Sequence, residues 1–106
     1  MSGFTHQYFE HPQIMEVVLK PDFMIEQWSD FETFFSDQTD KGILHWDLNL
    51  REVEFIASMF LGMLVSLHTR VLANGGHMRL ILKKESKTAA IIYLSKLNII
   101  IPVWEN

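Results

Sequence analysis

At 106 residues, with 48% hydrophobic and 21% charged side chains, the chain has the size and composition of one globular domain and not of a disordered segment. A net charge of −4 argues against a nucleic-acid binder, and the lack of cysteine removes disulfides, a thiol nucleophile and thiolate metal ligands. Charges break the apolar runs well short of the about 18 residues of a membrane span, and residues 1–13 show no signal-peptide pattern, so a cytoplasmic location is expected.

Tyr8-Phe9-Glu10 reads as a short strand, paired as a hairpin across His11-Pro12-Gln13 with the β-rich run Ile14–Leu19. Residues 1–13 are thus a lead-in or an edge strand. Lys20-Pro21-Asp22 ends the second run, since proline cannot donate to a ladder. From Met24 the period changes to helical: Met24, Trp28, Phe31 and Phe35 share a face, with Glu26, Asp30 and Glu32 outside, until Gly42. Leu44, Trp46, Leu48 and Leu50 then alternate along a strand expected at the centre of a sheet. A second helix covers about Ser58 to Asn74, with Gly75-Gly76 as its stop. Residues 78–82 form a strand and 83–86 a polar loop. A third helix spans roughly 87–97, with Ile91, Leu94 and Leu97 inward, and residues 99–104 form a last strand, Pro102 marking it as an edge.

The order β(β)–α–β–α–β–α–β argues for a single α/β domain over 1–106. Its mixed, mostly parallel sheet has four to five strands, with three to four helices.

On a helical wheel Phe60, Leu64, Leu67 and Val71 take the inward side of the second helix. Ser58, Gly62, Ser66, Thr69 and Ala73 take the other, with Met59 and Arg70 beside them. Ser58, Gly62 and Ser66 make a stripe of small residues at i, i+4 spacing that lets another protein approach the helix backbone; Ser58, Met59, Gly62, Met63 and Ser66 are the candidate partner surface. Ser58 is either a helix cap or a phosphate acceptor at the positive end of the helix dipole.

The run Leu48-Asn49-Leu50-Arg51-Glu52-Val53-Glu54-Phe55-Ile56-Ala57-Ser58-Met59-Phe60-Leu61-Gly62 resembles the signature of the STAS domains, the anti-sigma-factor antagonist family, which reads about L-D-L-S-x-V-x-F-I-D-S-S-G-L-G. Gly75-Gly76-His77-Met78-Arg79-Leu80 is similar to the family's G-G-x-L-R-L. Leu94-Ser95-Lys96-Leu97-Asn98 with Ile101-Pro102-Val103-Trp104-Glu105 is similar to its L-T-G-L-D … F-P-V-Y-D ending. The resemblance covers residues 14–105. It implies a non-enzymatic bacterial signal-transduction module that regulates transcription by partner switching. Such a module binds an anti-sigma serine kinase or sensor, and a phosphatase reverses the phosphorylation. Carried onto this chain, the phosphoacceptor is Ser58. The alternative the family offers is an unphosphorylated structural or accessory subunit, in a stressosome-like assembly or beside a transporter.

In the acceptor motif three positions are altered, Asn49 and Ala57 standing where the family has aspartate and Phe60 where it has glycine, and in the ending Lys96 and Asn98 replace a glycine and an aspartate. Two carboxylates near the acceptor are thereby lost, while Met59 and Phe60 are expected to enlarge an apolar contact surface. The five histidines show no metal-binding spacing, and His45 is expected to pair with Asp47 on its strand. Neither a nucleophile–base pair nor a phosphate loop is present, so no cofactor is expected. Lys83, Lys84 and Lys87 read as a solvated basic cluster, and Asp22, Asp30, Asp37 and Asp40 as a solvated acidic face.

Overall fold

The first two strands, β1 (Phe4–Glu10) and β2 (Gln13–Leu19), pair antiparallel from Phe4 opposite Leu19 to Glu10 opposite Gln13, as the hairpin reading predicts. These and the following observations come from a computed structural model that describes residues 3–54 and 58–106. After a 3-10 turn over Ile25–Gln27 come α1 (Trp28–Asp40), β3 (His45–Asn49), α2 (Ser58–Ala73), β4 (His77–Leu82), α3 (Lys87–Leu94), α4 (Leu97–Ile100) and β5 (Val103–Glu105). The strands lie in chain order, β1-β2-β3-β4-β5, with every pair after the hairpin parallel and β3 in the middle.

Alternation along the strands sends Met15, Val17, Leu19, Trp46, Leu48, Leu50, Met78, Leu80 and Leu82 to one face. The buried residues of all four helices join them there in one core, among them Phe31 and Phe35 of α1, Leu64 and Leu67 of α2, Ile92 of α3 and Leu97 of α4. Burying each such side chain contributes about 1.5–3 kcal/mol, so this face holds the fold together. The other face carries Glu16, Val18, Asp47, Asn49, Arg79 and Ile81, and among the described residues no helix covers it. An aromatic cluster closes the β1 side of the core. The Phe4 ring lies 5.5 Å from those of Phe31 and Phe34, and Phe23 and Trp28 meet Phe60 edge-on at 5.9 and 5.5 Å.

Two expectations for the last third of the chain are corrected. The third helix stops at Leu94, because Lys96 adopts a left-handed conformation (φ 61°, ψ 22°) that turns the chain. Ile92 faces the core and Leu94 is 83% exposed. Residues 97–100, expected within the helix end and the last strand, form the short α4 instead, so the strand is only the three residues of β5. Nearer the start, Met24 precedes the 3-10 turn and is exposed, outside the α1 stripe.

The two glycines after α2 have different work. Gly75 takes φ +80° and ends the helix, as expected. Gly76 is needed for proximity: a Cβ there would stand 1.9 Å from the carbonyl oxygen of Leu44, which accepts the His77 N–H at 3.0 Å.

Candidate functional site

The candidate site lies at the carboxyl ends of β3 and β4, where α2 and α3 begin. Leu50 continues β3 by donating its N–H to Ile81 O at 2.8 Å, and the chain then turns. Asn49 shapes that turn: its side-chain oxygen accepts the Arg51 N–H at 2.9 Å. Asparagine thus supplies the acceptor that an aspartate would, so only the charge is lost at this altered position. The loop is anchored to α3, where the Thr88 hydroxyl donates to Val53 O, and to the residue that follows β2, where Lys20 meets Glu52 at 3.3 Å. Ser86 caps α3 by accepting the Ala89 N–H at 3.0 Å. Between the two loops runs a shallow groove lined by Arg51, Lys83, Lys84 and Lys87 together with Glu52, Glu54 and Glu85. Its mixed charges make a polar rim.

Ser58 is the first residue of α2, and it is exposed. It stands one position inside the flanking place that an N-cap occupies, in the turn whose N–H groups have no helical partner. Ala57, with Phe55 and Ile56, lies outside the described residues. Along the outward side Met59 is 66% exposed; Gly62, Ser66, Thr69 and Ala73 are exposed and Met63 is half-buried. These candidate residues therefore share one continuous side of α2. Phe60 does not join them: it is buried against Phe23 and Trp28, so of the two bulky residues after Ser58 only Met59 enlarges the surface. Arg70 also leaves the outward surface. It bonds Glu32 and Ser36 of α1, each at 3.1 Å, and lies over the Phe35 ring.

Gly62 is informative because nothing among the described residues requires it. A Cβ at this position would meet no atom of the described residues within 4 Å. Glycine inside a helix costs roughly 0.5–1 kcal/mol relative to alanine, and here no internal contact offsets that cost. Its effect is to leave a patch of helix backbone bare to the outside, flanked by Ser58 and Ser66.

Two arrangements were not foreseen. His68 is buried on the inward side, one turn from Leu64, and desolvation lowers its pKa from the ordinary 6.5. Its i, i+4 spacing from Leu64 was the available signal. On the uncovered face of the sheet Asp47 pairs with Arg79 and not with His45: its carboxylate accepts two bonds, at 2.7 and 3.0 Å. This bonding raises the Arg79 pKa, and the guanidinium also lies over Trp104. His45 stacks on His77 instead. Both pairs follow from the β3–β4 register, which no local pattern discloses. Among the described residues no three His, Cys, Asp or Glu side chains gather in a way that would hold a metal ion.

The sheet order, the uncovered second face and the exposed side of α2 define a small α/β domain with one sheet face and one helix side turned outward. The solution structure of the protein TM1081 superposes with a TM-score of 0.77 at 20% identity, covering 95% of this chain and 79% of that one. The crystal structure of TM1081, a candidate anti-sigma factor antagonist from Thermotoga maritima, gives 0.70 at 22% identity, covering 97% and 86%. No family model and no curated protein matches the sequence. The likeness therefore establishes the fold. None of the helices described here is long and apolar enough to cross a membrane.

Proposed function

We propose that this domain is a partner-switching regulator that works by binding. Its outward α2 side, Ser58, Met59, Gly62, Met63 and Ser66, docks on an anti-sigma serine kinase or sensor protein of the same bacterium. The observation that carries the reading is Gly62, a stability cost with no internal return in the middle of an exposed stripe. Met59 supplies an apolar anchor of the adaptable kind found at binding surfaces, and the charged groove beside it forms the rim. Ser58 is the proposed phosphoacceptor. A phosphate there adds about −1.5 to −2 charges, stabilised by the unpaired N–H groups of the first turn and repelled by any acidic partner surface.

The test uses the purified anti-sigma kinase encoded in the same genome. Calorimetric titration should detect a complex, and Met59→Asp or Gly62→Trp should weaken it at least about tenfold, as expected for residues at the centre of an interface. With ATP, intact mass should show one added phosphoryl group in the wild type and none in Ser58→Ala. Absence of binding overturns the partner assignment. Binding without phosphoryl transfer, or transfer that survives Ser58→Ala, removes Ser58 from the switch and favours the unphosphorylated structural or accessory subunit. Ala57, in place of the family aspartate, is the sequence feature that supports this second reading.

A further inference from the structure

The two edges of the sheet are built differently. β5 has three residues, is preceded by Pro102 and ends in Glu105, and so offers little to a foreign strand. β1 has seven residues, Phe4-Thr5-His6-Gln7-Tyr8-Phe9-Glu10, with no proline or lysine and one charge at its very end. Among the described residues its only strand partner is β2. Tyr8 and Phe9 are 39% and 42% exposed. Such an edge is a template for further strand pairing.

The hydrogen-bond phase says which groups face outward. Lys20 donates its N–H to Gly3 O at 2.8 Å, one step beyond Phe4 opposite Leu19 in the same register. Bonded pairs alternate in an antiparallel ladder, so Thr5, Gln7 and Phe9 turn their backbone groups to β2, while His6 and Tyr8 turn theirs to the open edge. Only a few registers bring two such strands together, and one of them suits this strand paired with itself.

We infer that β1 pairs antiparallel with β1 of a second copy about a two-fold axis at Gln7, joining the two sheets into one continuous sheet. His6 then exchanges both backbone bonds with the partner's Tyr8, and Tyr8 with the partner's His6. On the helix-covered side this sets imidazole against phenol. On the uncovered side Thr5 lies opposite the partner's Phe9, a β-branched–aromatic pair, and Gln7 opposite the partner's Gln7, amide to amide. No like charges face each other, because the two Glu10 side chains lie at opposite ends of the new ladder. The backbone phase admits only registers that set outward residues such as His6 and Tyr8 opposite one another, and among these the one centred on Gln7 is taken for its side-chain match; a strand that complements itself about an axis in this way takes a second copy as its occupant.

Sedimentation of the purified domain should show a dimer. Tyr8→Pro removes an outward N–H and leaves every bond to β2, so it should shift dissociation to at least about tenfold higher concentration with the β1–β2 hairpin intact by NMR. Tyr8→Lys should act in the same direction. Gln7 facing Gln7 is a non-bonded pair with Cα atoms about 4.5 Å apart, within disulfide range. In this cysteine-free chain Gln7→Cys should therefore oxidise to a covalent dimer, whereas Thr5→Cys, opposite a phenylalanine, should not. A monomer at millimolar concentration overturns the proposal, also if a foreign extended peptide then binds this edge. So does a dimer that Tyr8→Pro and Tyr8→Lys leave unchanged, or equal cross-linking at residues 5 and 7.

Discussion

The two sides of α2 belong to one helix and answer to different demands. Inward, Leu64 is fully buried, Leu67 and Val71 are 2% exposed, and Phe60 completes an aromatic cluster. Outward, Ser58, Gly62 and Ser66 touch little and Met59 stands in solvent. The inward side is what makes the helix stable in place, since short helices draw their stability from packing an apolar face. The outward side contributes almost nothing to folding, and at Gly62 it detracts. The docking proposed for this side is what would give the cost at Gly62 a purpose.

Substitutions can break this contrast, beginning with the largest effect. Leu64→Ala should lower unfolding free energy by about 2–5 kcal/mol, read from the denaturant midpoint, because it leaves a cavity between helix and sheet. Kinase affinity per folded molecule should not change. Gly62→Trp should do the reverse: affinity falls by more than about 1.4 kcal/mol, a factor of ten, with the fold intact by circular dichroism. Equal damage from the two variants in both assays would erase the distinction.

Smaller effects sharpen it. His68 on the inward side has a lowered pKa in the folded state, so the unfolded chain binds the proton more readily. Its contribution is complete above the ordinary value of 6.5 and is lost as pH falls through the folded-state pKa. His68→Leu should flatten the acid side of a stability–pH profile measured by chemical denaturation. The smallest change is Gly62→Ala, expected to raise stability by roughly 0.5–1 kcal/mol while weakening kinase binding. A methyl group that stabilises the helix without touching affinity would show that the bare backbone has no partner.

Most of the architecture was legible because its signals are periodic. The alternation Trp46-x-Leu48-x-Leu50 and the helical spacing of Phe60, Leu64, Leu67 and Val71 state both the element and its buried side. The last third was less legible. Ile99-Ile100-Ile101 has strong strand propensity, yet Lys96 at a left-handed joint starts a helical turn that keeps Ile99 and Ile100 exposed and buries Ile101. A non-glycine residue in that conformation costs roughly 1 kcal/mol, and the related motif has glycine at this place. Propensity lost here to chain geometry. The candidate site divides in the same way. Periodicity identified the exposed side of α2, but the Asn49 turn, the Asp47–Arg79 pair and the His45–His77 stack depend on register between strands far apart in the chain.

One consequence of the sheet's layout concerns synthesis. Spatial order repeats chain order from β1 to β5, so a growing chain never has to wedge a late strand between two early ones. The hairpin pairs neighbours in sequence, and each later strand lies beside the strand that precedes it in the chain, which keeps the pairings of the sheet short in sequence. Within one chain the sheet therefore grows away from β1, and β5 closes that margin.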